Sequence, residues 1–399
     1  VLALVLLALL GLANLRLHRP GDTETTLAQL RYLEKALDRG AAGRMQEMFP
    51  EGYVFTWALY GAACAQVAAS GEGDPAVRAH LLDEAREATE AVRSDVARST
   101  FPADLHPPGG AFYASWSLYV LAEYVRAAGA SAVAPELIRT FEAEAQALAS
   151  ALGGPRGPFI ESYPGLAWPA DAAVGVAALG IFGQVVDSRF EPVVEGWVAA
   201  ARERLSTELP ALSHIALPGR EPGGVRGSSL ALMSRVLVEV DREFARAQYD
   251  LLREHFVDYR LGVPGIREYP KGTRGGGDVD SGPLFLGYSG PAVVVGAAAA
   301  RVHGDERLAD ILLGGTELVG VPLEWLGRRR YAGGLVPVGD AFIAWTRSSP
   351  MGSSEPWAPL LPQGWSIPFH LFSAVIALFL AWRGGWLDPV RRSRWGQPD

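Results

Sequence analysis

The chain has 399 residues and a formal net charge of −8; 49 % of its residues are hydrophobic and 20 % are charged. A wholly disordered chain is excluded, because this much apolar side chain can bury a sizeable core. The acidic balance argues against a nucleic-acid partner. Cys64 is the single cysteine, so an internal disulfide and a cysteine-based zinc cluster are also excluded.

The N-terminal segment, residues 1–15, is apolar and carries no charged side chain. A segment of this kind is either the core of a signal peptide or a membrane anchor, although a full span takes about 20 apolar residues. The sequence LRLHRP follows it in place of a small-residue cleavage site. We therefore predict a transmembrane signal anchor over residues 1–19.

The C-terminal apolar segment, residues 365–382, has no formal charge, carries tryptophan at both edges and is followed by several arginines. Aromatic edges and cytoplasmic arginines are typical of a membrane span; a buried core helix is the alternative. We predict a transmembrane helix over residues 363–386 and a cytoplasmic basic tail over residues 387–399. With both ends in the membrane, residues 20–362 are expected to form an extracytoplasmic domain of the cell envelope.

The region between these segments is predicted to be helical, because apolar residues recur with a 3.6-residue period and alternating, strand-like runs are scarce. Apolar helices begin about every 58 residues, which indicates a repeat. Their predicted starts are Glu51, Gly110, Trp168, Arg226, Asp280 and Asp340. We predict an all-α fold, an (α/α)6 toroid of about twelve helices with the apolar helices as the inner ring. An open solenoid and two separate bundles are the alternatives.

Carboxylates occur where loops lead into the predicted inner helices. Asp278 and Asp280 follow three consecutive glycines before the fifth of these helices, and Glu161 and Asp171 lie near the start of the third. Two carboxylates can cleave a glycosidic bond as acid and base or nucleophile. We predict Asp171 with Asp278 or Asp280 as the catalytic pair and Glu161 as a further catalytic candidate. Helix capping is the alternative function of Asp280.

Aromatic side chains near the same ends could stack on sugar rings, with core packing as the alternative for each of them. The predicted substrate-binding residues are Trp57, Tyr113, Trp116, Tyr163, Trp168, Arg226 and Tyr288. The Asp-x-Asp spacing lacks the other ligands of a calcium loop, so we predict neither a metal nor a cofactor. The sequence also lacks the H-E-x-x-H, G-x-S-x-G and P-loop motifs.

Three segments resemble the linalool dehydratase/isomerase-like family: FYASWSLYVLAEY from Phe112, ESYPGLAWPADAAVGVAAL from Glu161, and GGDVDSGPLFLGYSGPAVVVGAAAARVHGD from Gly276. The layout also resembles the six-hairpin glycosidase superfamily, which implies an α/α toroid. The dehydratase chemistry of the first family uses cysteines in the middle segment and a histidine in the first. This chain has Ser162 and Asp171 in the middle segment and no histidine in the first, so the resemblance implies the fold rather than the terpene-alcohol chemistry.

Three functions are compatible with these features. The first is a membrane-anchored enzyme, of glycoside hydrolase or lyase type, that processes a glycan with paired carboxylates. The second is a dehydratase- or isomerase-like enzyme for an isoprenoid or lipid-linked small molecule. The third is a non-catalytic binding or scaffold subunit of a membrane complex. The expected partners are accordingly a glycan or lipid-linked small molecule, the membrane and the subunits of such a complex.

Overall fold

Helices make up most of the protein. The structure, a computed structural model, describes residues 2–71, 73–216, 223–260, 262–353 and 357–383. Within these ranges, two short antiparallel hairpins lie in the loops between helices. The hairpins are β1 (Val257–Arg260) with β2 (Val263–Ile266), and β3 (Leu323–Trp325) with β4 (Arg328–Arg330).

The α-helices follow one another along the chain with short connections. They are α1 (Leu2–Arg16), α2 (Thr23–Leu37), α3 (Ala41–Met48), α4 (Gly52–Ala69), α5 (Pro75–Ala91), α6 (Asp95–Arg98), α7 (Gly110–Ala128), α8 (Pro135–Leu152), α9 (Pro169–Val185), α10 (Glu191–Arg202), α11 (Gly227–Val236), α12 (Arg242–His255), α13 (Gly290–Val302), α14 (Glu306–Val319), α15 (Pro337–Ser348) and α16 (Ile367–Arg383). Short 3-10 turns occur at Ala130–Ala132, Leu237–Glu239 and Ala332–Gly334.

Six helices form a closed ring at the centre of the protein. Helix α4 packs against α7, α7 against α9, α9 against α11, α11 against α13, α13 against α15, and α15 against α4. Outside the ring, α5 packs against α4 and α7, α8 and α10 against α9, α12 against α11, α14 against α13, and α2 against α15. A helix buried on all sides must be apolar all round. Accordingly, every residue of α9 from Pro169 to Leu179 is buried.

The starts of five ring helices lie within three residues of the starts predicted from the sequence, but α13 begins at Gly290 rather than at Asp280. The reason is a competing cap nine residues downstream. The Ser289 hydroxyl accepts a hydrogen bond from the backbone N–H of Ala292, and Pro291 stands in the first turn. Asp280 therefore lies in a loop and caps no helix.

The described parts of the terminal apolar segments are helical, as α1 and α16. Among the described residues, no helix is both long enough and apolar enough to cross a membrane. The predictions of transmembrane helices over residues 1–19 and 363–386, of a fold flanked by them and of a membrane-anchored location are therefore wrong. Residues 384–399, including the predicted basic tail, lie outside the described residues.

Glycines allow neighbouring ring helices to approach each other closely. At Gly180 in α9, an added Cβ would lie 2.1 Å from the carbonyl oxygen of Glu239, whereas at Gly183 it would meet nothing within 4 Å. We expect Gly180→Ala to lower the free energy of unfolding by about 1–3 kcal/mol, the usual cost of overpacking. Gly183→Ala should leave it unchanged or raise it by up to about 1 kcal/mol. Urea unfolding followed by circular dichroism measures both; equal stabilities would contradict the close packing of α9 on the turn after α11.

Candidate functional site

Carboxylates from separate parts of the chain meet where the ring helices begin. Glu51 precedes α4, Asp171 lies in the first turn of α9, and Asp278 and Asp280 lie in the loop before α13. The charge of Glu51 raises the pKa of both Asp171 and Asp280, and the charge of Asp280 raises the pKa of Asp171. Such effects require the carboxyl groups to lie near one another. We call these four carboxylates the acidic site.

Asp171 is the buried member of the acidic site, with only 9 % of the residue exposed. The Ser162 hydroxyl donates a hydrogen bond of 2.6 Å to Oδ2 of Asp171. Burial raises the pKa of Asp171 to about 7; the hydrogen bond from Ser162 opposes this rise, and the charges of Asp280 and Glu51 add to it. A carboxyl group with this pKa can hold a proton at neutral pH and donate it.

Asp280 lies at the open side of the acidic site, and 52 % of its side chain is exposed. Its Oδ2 lies 3.6 Å from Nε2 of His214. Loss of solvent around the carboxyl group, followed by the charges of Asp278 and Glu51, raises the pKa of Asp280 to about 6. Asp280 therefore loses its proton before Asp171 does as the pH rises.

His214 is a buried neighbour that no sequence motif marks. Its Nδ1 lies 2.6 Å from the hydroxyl oxygen of Ser229. Burial and the charge of Arg226 lower the pKa of His214 to about 4, so the imidazole is neutral at physiological pH. When Ser229 donates to Nδ1, the single ring proton stands on Nε2, the nitrogen nearer Asp280.

A second buried acid, Glu268, lies beside Arg226 at the start of α11. Glu268 accepts hydrogen bonds from the hydroxyl and the backbone N–H of Ser228, at 2.9 and 3.3 Å, and burial raises its pKa to about 7. Arg226 forms an ion pair with Asp278. Burial alone would raise the pKa of Asp278, but hydrogen bonds from Ser281 and Arg226 hold it below its usual value, so Asp278 is ionised.

A repeated motif places Ser162 and Glu268 in equivalent positions. The pattern Ile-x-x-Tyr-Pro occurs at residues 160–164 and again at residues 266–270, and its third position is Ser162 in one copy and Glu268 in the other. In both copies, the first turn of a ring helix, α7 or α11, donates a backbone hydrogen bond to the motif. This internal repeat is the sequence feature that could have identified Glu268.

Tyr163 and Trp168 are the predicted aromatic residues that lie at the acidic site. The Tyr163 hydroxyl donates a hydrogen bond to Glu51, and burial together with this carboxylate raises the pKa of Tyr163. The rings of Tyr163 and Trp168 meet edge to face at 6.1 Å. The indole N–H of Trp168 is buried and has no hydrogen-bond partner among the described residues.

Glu161 does not join the other predicted catalytic residues. Its Oε1 accepts a hydrogen bond of 3.0 Å from the backbone N–H of Gly165, and its Oε2 lies 3.8 Å from the guanidinium group of Arg156. These contacts stabilise the turn within the first motif copy. We therefore leave Glu161 out of the acidic site.

The other predicted aromatic residues pack in or against the core: Trp57, Tyr113, Trp116 and Tyr288. Trp116 is fully buried among aromatic rings. The Tyr113 and Tyr288 hydroxyl groups donate to backbone carbonyls, and Trp57 packs edge to face on a tyrosine ring of its own helix. For these four residues, the structure favours the packing alternative.

No known family model matches the chain, and no curated protein matches it. The resemblances to the six-hairpin glycosidases and to the linalool dehydratase/isomerase-like family therefore stay predictions. The chemistry must be inferred from the acidic site and its neighbours. They include two buried acids, one half-exposed carboxylate, one ionised carboxylate beside an arginine, and a neutral imidazole: Asp171, Glu268, Asp280, Asp278 and His214. Groups of this kind move protons at near-neutral pH.

Proposed function

We propose that the protein is an acid–base enzyme of glycoside hydrolase or lyase type that acts on a glycan. The observation that carries this proposal is the pairing of buried Asp171, whose pKa is raised to about 7, with half-exposed Asp280, whose pKa is raised to about 6. Two carboxyl groups with separated pKa values can take opposite roles in one reaction. Glycoside cleavage needs such a pair.

Asp171 is the proposed general acid. Its burial favours the protonated form, and the hydrogen bond from Ser162 leaves the other carboxyl oxygen available to carry the proton. Protonating the oxygen of a departing sugar is what makes glycosidic bond cleavage feasible at neutral pH. The proton therefore passes from Asp171 to the leaving group.

Asp280 is the proposed base or nucleophile. It is exposed enough to reach a substrate, and it becomes ionised at a lower pH than Asp171. The neutral imidazole of His214 borders this carboxylate, with Nε2 at 3.6 Å from Oδ2, beyond hydrogen-bond distance. Tyr163 and Trp168 add aromatic ring surface, which suits the faces of a sugar.

Because Asp280 must be ionised while Asp171 is protonated, we expect a bell-shaped dependence of kcat/KM on pH, centred at about pH 6.5.

Asp280→Asn should lower kcat by about 100- to 10,000-fold, the usual contribution of a positioned acid or base. The assay is release of reducing sugar or of unsaturated product from a panel of soluble glycans. Glu161→Gln is the matched control, since it removes a neighbouring carboxylate outside the acidic site, and it should keep activity within a few-fold. Equal activity of Asp280→Asn and the wild type, or no turnover of any glycan tested, would contradict the proposal.

A further inference from the structure

A second group of ligand-type side chains lies on the outer side of the ring, between α2 and α5. Its members are Glu34 on α2 and His80 and Glu84 on α5. One ligand atom from each lies within 4.8 Å of the others, and His80 Nε2 is 3.3 Å from a carboxylate oxygen of Glu34. His80 and Glu84 are four residues apart, so they share one face of α5.

The chemistry of this group suits a first-row divalent transition metal. Such ions bind imidazole nitrogen and carboxylate oxygen at about 2.0–2.2 Å, so ligand atoms around one ion are separated by about 3–4.4 Å. The ligand atoms of these three side chains lie within 4.8 Å of one another. Calcium and magnesium prefer sites made of oxygen alone. An imidazole beside two carboxylates therefore favours zinc and its neighbours in the series.

The surroundings of Glu84 orient it towards such an ion. The hydroxyl group of buried Tyr60 donates a hydrogen bond of 2.7 Å to Oε2 of Glu84, and hydrogen bonds of this kind fix metal ligands in proteins. The carboxylate groups of Glu34 and Glu84 each place an oxygen within 4.8 Å of the other. A bound cation would offset the repulsion between these carboxylates.

We propose that Glu34, His80 and Glu84 bind one first-row divalent transition metal ion, with water in the remaining coordination positions. Helix α2 packs against α15, and α5 packs against α4. Along the chain, α4 is the first ring helix and α15 is the last, and the ring closes where these two pack together. An ion bound by α2 and α5 therefore links the outer helices that pack against them. The site is therefore structural, and it is independent of the acidic site.

The test is equilibrium dialysis of the full chain against micromolar ZnCl2 after treatment with EDTA. We expect one equivalent of zinc per wild-type chain, and none at the same free zinc concentration for His80→Ala. The melting temperature of the wild type should rise with zinc because the ion binds only the folded state, and that of His80→Ala should not. His80 is exposed, so this variant is expected to fold.

His255→Ala is the matched control, because His255 is also partly exposed on a helix and lies 3.9 Å from the carboxylate of Glu254. It should bind zinc as the wild type does. Tyr60→Phe should keep the stoichiometry but raise the Kd by about 10- to 100-fold, the usual effect of removing an outer hydrogen bond. Equal zinc uptake by the wild type and His80→Ala, or no saturable uptake by the wild type, would overturn the proposal.

Discussion

Asp171→Asn is expected to abolish turnover and, at the same time, to stabilise the fold above neutral pH. Removing the proposed general acid should lower kcat/KM by about 100- to 10,000-fold. The side chain is buried, and its pKa rises from 3.8 to about 7, so the folded state holds a proton that the unfolded state releases. The fold is therefore favoured by this group below about pH 4, and that contribution is lost as the pH rises through about 7.

Between pH 4 and 8, ionisation of Asp171 should lower the free energy of unfolding of the wild type by about 3–4 kcal/mol. Asparagine does not titrate, so Asp171→Asn should remove this pH dependence. The amide oxygen of asparagine can still accept the hydrogen bond from Ser162. Urea unfolding at pH 5 and pH 8, combined with the glycan assay, measures both effects. Glu161→Gln should change neither the activity nor the pH dependence of stability. A variant that is much less stable than the wild type at pH 8 would indicate that the ionised carboxylate of Asp171 stabilises the fold, contrary to a pKa that burial raises.

Glu317→Gln is expected to cost about 3–5 kcal/mol of folding free energy, the usual effect of breaking a buried ion pair from one side. Glu317 on α14 is 1 % exposed. It accepts hydrogen bonds from Arg329, Tyr331 and Arg347. Removing its charge leaves the guanidinium group of Arg347, which is almost fully buried on α15, without a carboxylate.

The matched control for this prediction is Glu324→Gln. Glu324 also pairs with Arg329, at 3.2 Å, but 55 % of its side chain is exposed. An exposed pair is screened by water, so its loss should cost less than about 1 kcal/mol. Urea unfolding of the two variants and the wild type gives the comparison. Equal losses of unfolding free energy would contradict a buried charge cluster between α14 and α15.

The ring helices could be located from the sequence because their local patterns are strong. A segment that is apolar all round, opened by proline or glycine, is recognisable without knowledge of its neighbours, as α9 and α7 illustrate. The start of α13 was placed wrongly because Asp280 and Ser289 both resemble helix caps. Only the packing of the 280–289 loop decides between them.

Hydropathy was a weaker guide at the two ends of the chain. Composition describes how apolar a segment is, but the length of a helix depends on where its hydrogen bonding stops. Helix α1 ends at Arg16, and α16 begins at Ile367, after the start of the apolar segment. The predictions of membrane spans relied on hydropathy and on the flanking residues, and they were wrong because neither gives the bounds of a helix.

The residues of the acidic site, too, could be predicted only in part from the sequence. Asp171, Asp278 and Asp280 could be selected because each stands where a loop meets a predicted helix. Their partners Glu51 and His214 lie far away along the chain. Glu51 stands at the predicted start of the first ring helix, but no local pattern marks His214. Only the closed ring brings these groups together and removes water from Asp171. The sequence determined which carboxylates were available, whereas the tertiary structure decided their pKa values, because burial and neighbouring charges act through space.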